Sequence, residues 1–170
     1  MSARLAWALL ACVACAGCDG SEPSAGPHGA AVVDAGRVED EDEGFVGCPD
    51  SIPTFALGMH ARGDGGRLGA TLVAASPAPP LRYLNDWTLT LTLGDGTPLP
   101  DAVITKARAF MPVHGHDGIV VPTLEMLPEP GRVRIRGLNF NMRGPWQVQL
   151  SLSSPSTGDD YVVFYICVQE

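Results

Sequence analysis

An all-β sandwich is the fold class this sequence predicts, on three observations. Apolar and polar residues alternate with period two in several separate stretches, the pattern of a half-buried strand. Glycine (20) and proline (15) are frequent for a chain of 170 residues, which supplies many turns between short strands. No amphipathic helix of useful length occurs. A hydrophobic share of 45% with 18% charged residues is enough to bury a core. The formal charge of -8 argues against a nucleic-acid binder, which needs a basic surface to replace phosphate counterions. It is also the wrong sign for attraction to anionic lipid, so any membrane attachment must be covalent.

The chain opens with an export signal. Arg4 precedes an apolar run from Leu5 to Ala16 that is too short to span a bilayer. The end of the run, Cys15-Ala16-Gly17-Cys18, resembles the lipobox of bacterial lipoproteins, in which a cysteine after small residues is lipidated and becomes the new N-terminus. Residues 1–17 then form the signal peptide and Cys18 carries the lipid. Cys15 stands where that motif usually has leucine, and Ala14-Cys15-Ala16 also fits ordinary signal-peptidase cleavage. Asp19 resembles the inner-membrane retention signal of some bacteria, a rule that does not hold in all lineages, so either membrane is open.

Residues 18–47 read as a tether. They show no apolar periodicity and contain eight carboxylates, five of them consecutive from Glu39 to Glu43, against the single Arg37. Residues 48–170 hold eleven acids and nine bases, so most of the negative charge belongs to the tether. A like-charged run repels itself and stays extended, as a solvated spacer would.

Residues 48–170 form the domain, with Cys48 at one end and Cys167 near the other. Two cysteines remaining in an oxidising compartment most simply pair; thiolate metal ligation or a redox couple is the alternative. Weaker strands are expected near Thr54–Met59 and Arg67–Ala75, followed by the proline cluster 76–80, which cannot sit inside a sheet. The clearest strand alternates Trp87, Leu89, Leu91 and Leu93 with threonines and ends at Gly94-Asp95-Gly96. Further strands follow near Ala102–Phe110 and Val120–Met126. Val133 and Ile135 then alternate with three arginines, and Trp146, Val148, Leu150 and Leu152 with polar residues. Tyr161 to Val168 is apolar on both faces, as in a strand buried between two layers. About seven to eight strands at this spacing imply an immunoglobulin-like β-sandwich.

One stretch carries chemistry: Met111-Pro112-Val113-His114-Gly115-His116-Asp117-Gly118. Two imidazoles and a thioether are borderline and soft donors, a mixture that suits copper(I) better than hard cations. Met142 lies in the break between two strands and can join them if the fold brings the stretches together. Met59, His60 and Met126 are weaker additions. Zinc, through His114, His116 and Asp117, would have too few ligands for a structural site. The alternative is architectural, with the histidines bonding turn carbonyls and the methionines filling core gaps. Hydrolytic motifs are absent: there is no G-x-S-x-G, no H-E-x-x-H and no phosphate-binding glycine loop, so no enzyme is expected.

The order Pro77-Ala78-Pro79-Pro80, Asn85-Asp86-Trp87, Met111-Pro112-Val113-His114-Gly115-His116 and Phe140-Asn141-Met142-Arg143-Gly144-Pro145-Trp146 resembles the YtkA-like domain, related to FixH-type accessory proteins. It is similar in particular to a lipoprotein branch with one cysteine near each end, here Cys48 and Cys167, and covers about residues 48 to 168. Where the family often has glycine after the second histidine, this chain has Asp117. The resemblance implies a small extracytoplasmic, non-enzymatic sandwich, with some relatives tied to copper handling and oxidase assembly. The expectation is a lipid-anchored, periplasm-facing envelope protein binding copper through His114, His116, Met111 and Met142, with envelope or copper-handling proteins as partners. The alternative is a structural or protein-binding sandwich without metal.

Overall fold

A computed structural model of the protein describes residues 47–169. The signal peptide, Cys18 and tether residues 19–46 lie outside the described residues. Within them the chain is all-β, in two antiparallel sheets and nine strands. The five-stranded sheet runs in the order β1 (His60–Arg62), β2 (Leu68–Ser76), β3 (Tyr83–Leu93), β7 (Arg132–Phe140), β6 (Thr123–Met126). The four-stranded sheet runs β5 (His116–Asp117), β4 (Val103–Met111), β8 (Gly144–Ser154), β9 (Gly158–Val168). The chain crosses between sheets after β3, β5 and β7.

Period-two alternation turns one face of each sheet inward. Leu68, Ala70 and Leu72 on β2, Trp87, Leu89 and Leu91 on β3, and Val133 and Ile135 on β7 are buried. They meet Ala107, Ala109 and Met111 on β4, Trp146, Val148, Leu150 and Leu152 on β8, and Val162, Phe164, Ile166 and Val168 on β9. Trp87 and Phe164 touch edge to face across the layers, ring centroids 5.7 Å apart, a geometry favoured by the ring quadrupoles. Each fully buried large apolar side chain contributes about 1.5–3 kcal/mol relative to exposure.

Several expectations are corrected. The strand count is nine, because β1 and β5 are three and two residues long. Thr54–Met59 is not a strand: Gly58 adopts φ +88 in a turn, and Phe55 leaves any alternation to pack on Trp87 at 5.9 Å. The strand expected from Val120 begins only at Thr123, because Pro122 has no N–H to give a ladder. Tyr161–Val168 is not buried between layers; β9 is an edge strand and Tyr165 is 48% exposed on its outer face. The proline cluster connects β2 to β3, with cis bonds at Ser76-Pro77 and Ala78-Pro79. Cys48 is bonded to Cys167, Cα atoms 5.7 Å apart and 119 positions separated in sequence.

One buried carboxylate ties the sheets together at the end where β9 begins. Asp160 accepts backbone N–H bonds from Gly65 at 2.8 Å, Arg67 at 2.9 Å, Leu68 at 3.0 Å and Tyr161 at 2.8 Å. Burial alone would push this carboxyl up, but the N–H donors of Leu68, Gly65, Tyr161 and Arg67 outweigh it and hold the pKa lowered to about 2. A folded-state pKa below the ordinary 3.8 means stability that is present above about pH 4 and lost as pH falls towards 2. Asp160→Asn should therefore cost about 2 kcal/mol at neutral pH. In urea unfolding, the gap between wild type and variant should close as pH approaches 2; a gap independent of pH would show that the charge contributes nothing.

Candidate metal site

The His-Gly-His stretch is a short hairpin. β4 ends at Met111 and β5 returns beside it, with Met111 opposite His116 and Phe110 opposite Asp117. Pro112-Val113-His114-Gly115 make the four-residue connection. Proline presets φ at its first position, and Gly115 takes φ +68 at its last, where its N–H bonds Met111 O at 2.9 Å. Alternation then sorts the side chains. Met111 and His116 share the inward face, with Met111 fully buried and His116 half-buried.

Asp117 falls on the outer face. Its carboxylate meets the Arg108 guanidinium at 2.6 Å, and Arg108 lies over the Phe110 ring at 4.5 Å. The oxygen donor suggested for zinc is thus paired with a cation. Among the described residues no group of three or more His, Cys, Asp or Glu side chains is gathered where it could hold a metal ion. The candidate donors are therefore two imidazoles and two thioethers.

The imidazole of His114 stacks on that of His116, centroids 5.9 Å apart and planes 20° from parallel. His116 Nδ1 lies 3.0 Å from the Asp117 backbone carbonyl. A carbonyl only accepts, so Nδ1 is the donor in this contact and Nε2 is the ring nitrogen that a ligand would use. His116 also meets Trp146 in an edge contact, centroids 5.9 Å apart at 71°. Trp146 is fully buried, and its Nε1–H donates to Met142 O at 2.9 Å. Met142 packs half-buried against the core in the β7–β8 connection.

The fold thus places Met111 opposite His116, stacks His114 on His116, and ties Met142 to the same neighbourhood through Trp146. Two other suggested residues lie elsewhere. His60 hydrogen-bonds Thr71 at 3.1 Å on β1, at the far edge of the five-stranded sheet, and Met126 is exposed on β6.

Three residues hold the hairpin through contacts that the sequence pattern does not show. Buried Asn139 accepts the Ile119 N–H through Oδ1 at 3.1 Å. The Gly118 N–H donates to Ala109 O at 2.9 Å, and a Cβ at Gly118 would lie 2.1 Å from Asn139 O. Trp146, expected as a strand residue and as part of the stretch that carries the family resemblance, touches both parts of the site. Exposed Val113, Ile119 and Val121 flank the hairpin, at 49%, 78% and 85% exposure.

Residues 70–151 match a family model described as YtkA-like. The matched segment runs from β2 to β8, includes the hairpin, Met142 and Trp146, and leaves out Cys48 and Cys167. No curated protein and no solved structure gives a significant match.

Proposed function

Because the chain carries a YtkA-like domain over residues 70–151, we propose that it is a lipid-anchored protein of the bacterial cell envelope whose non-enzymatic sandwich binds copper(I). The observation that carries this reading is the pair of stacked imidazoles, with His116 Nδ1 committed to the Asp117 carbonyl and Met111 opposite His116 in the ladder. Copper(I) is satisfied by a few soft or borderline ligands, and His114, His116, Met111 and Met142 are of that kind. Pairing of Asp117 with Arg108 removes the nearest hard donor. Anchoring through Cys18 after the residue 1–17 signal is supported by the lipobox-like Ala16-Gly17-Cys18, and periplasm-facing copper-handling proteins are the partners that fit. The strand order supports an immunoglobulin-like type: β2-β3-β7-β6 and β5-β4-β8-β9 correspond to strands A, B, E, D and C′, C, F, G.

A second reading, a protein-binding sandwich without metal, is favoured by the complete burial of Met111 and by the apolar rim of Val113, Ile119 and Val121. Competition titration of copper(I) against a chelator separates the two. The expected result is one-to-one binding well below micromolar, lost when His114 and His116 are both replaced by alanine without loss of folding. Absent binding, or binding that survives the double substitution, would leave the protein-binding reading.

A further inference from the structure

We infer that Trp146 is a positioning residue of this site, locking together the two separate pieces of chain that supply its ligands; this rests on the copper(I) reading above. The hairpin donors lie on β4, β5 and the turn between them, Met142 lies in the β7–β8 connection, and among the described residues no ladder pair joins that turn to that connection. One side chain reaches both. The Trp146 ring meets His116 in an edge contact, so the His116 ring touches both an imidazole and an indole. The same indole N–H clamps the Met142 carbonyl four residues earlier. Phe140, at 5.4 Å, braces the indole from the core.

Core packing alone does not require this arrangement. Trp87 is equally buried, and its Nε1 has no hydrogen-bond partner. A buried indole that does find a partner fixes the geometry of whatever accepts its hydrogen. At Trp146 that acceptor is the backbone of a candidate ligand. Outer contacts of this kind set ligand orientation, and their loss typically weakens metal affinity by about 10- to 100-fold. Phenylalanine at this position would fill most of the volume while leaving the Met142 carbonyl without its donor. The soft ion then meets a His116 ring and a Met142 thioether that are no longer held at a set separation.

The test uses the full chain, with copper(I) added anaerobically against a competing chelator. Trp146→Phe should weaken affinity by about 10- to 100-fold, while Trp87→Phe, a core change away from the site, leaves it unchanged. In wild type the Trp146 indole N–H resonance should move on copper(I) addition and that of Trp87 should not. Equal affinity in Trp146→Phe and wild type overturns the inference and leaves the copper(I) reading standing. An equal loss in both tryptophan variants also overturns it, since the effect is then general stability. Should Trp146→Phe not fold, the wild-type indole resonance decides, and a resonance that does not move overturns the inference. A wild-type chain that takes up no copper(I) removes the copper(I) reading, and this one with it.

Discussion

Replacing Cys48 and Cys167 by serine should lower the Tm by roughly 15–20 °C, the largest single stability effect in the domain. The bond closes a loop across 119 positions. In the chain-entropy account, such a loop removes about 4–5 kcal/mol of freedom from the unfolded chain. Residues 47–59 contain no strand; besides the bond, they are held by Phe55 and Met59 against the core and by backbone hydrogen bonds of Gly58 and Met59 with Leu72. Thermal unfolding of the oxidised, reduced and double-serine proteins provides the check. Matching behaviour of the reduced and serine forms, both well below the oxidised form, is expected. A double-serine protein as stable as wild type would mean that the sandwich holds this segment without covalent help.

Gly118→Ala should lower stability by about 1–3 kcal/mol, the usual cost of forcing a carbon into packed space. The added Cβ would sit 2.1 Å from the Asn139 carbonyl oxygen, and a backbone atom cannot rotate aside as a side-chain tip would. The strain falls two residues after His116, on a segment held by the Gly118–Ala109 and Ile119–Asn139 hydrogen bonds. Copper(I) affinity should therefore fall together with stability. Gly47→Ala, where nothing lies within 4 Å, is the matched control and should change neither. Urea unfolding and copper titration of both variants test the point; a Gly118→Ala protein matching wild type in both would show that the hairpin tolerates displacement.

The sheets were legible where one face is buried and the strand is long. Trp87–Leu93 and Trp146–Leu152 announce themselves by alternation because their inward residues meet the core and their outward ones meet water. β1 and β5 escape notice because two or three residues cannot display a period. β9 misleads because Val163 and Tyr165 are apolar on the outer face of an edge strand, where composition alone suggests burial on both sides. At the candidate site, the donors could be named from their chemistry, but the contacts that hold them could not. Asn139 lies 20 positions from Ile119, and Asp160 takes hydrogen bonds from residues more than 90 positions earlier. Such contacts arise from strand register, which a local window does not contain.

The Cys48–Cys167 bond also defines where the domain is held. A pull transmitted along the chain to Gly47 passes through Cys48 and its sulfur bridge straight onto Cys167, bypassing residues 49–166. Cys167 lies in register with Pro145, next to Trp146 on β8. The mechanical load path therefore enters the sandwich on the β8–β9 pair, one residue from the indole that backs His116.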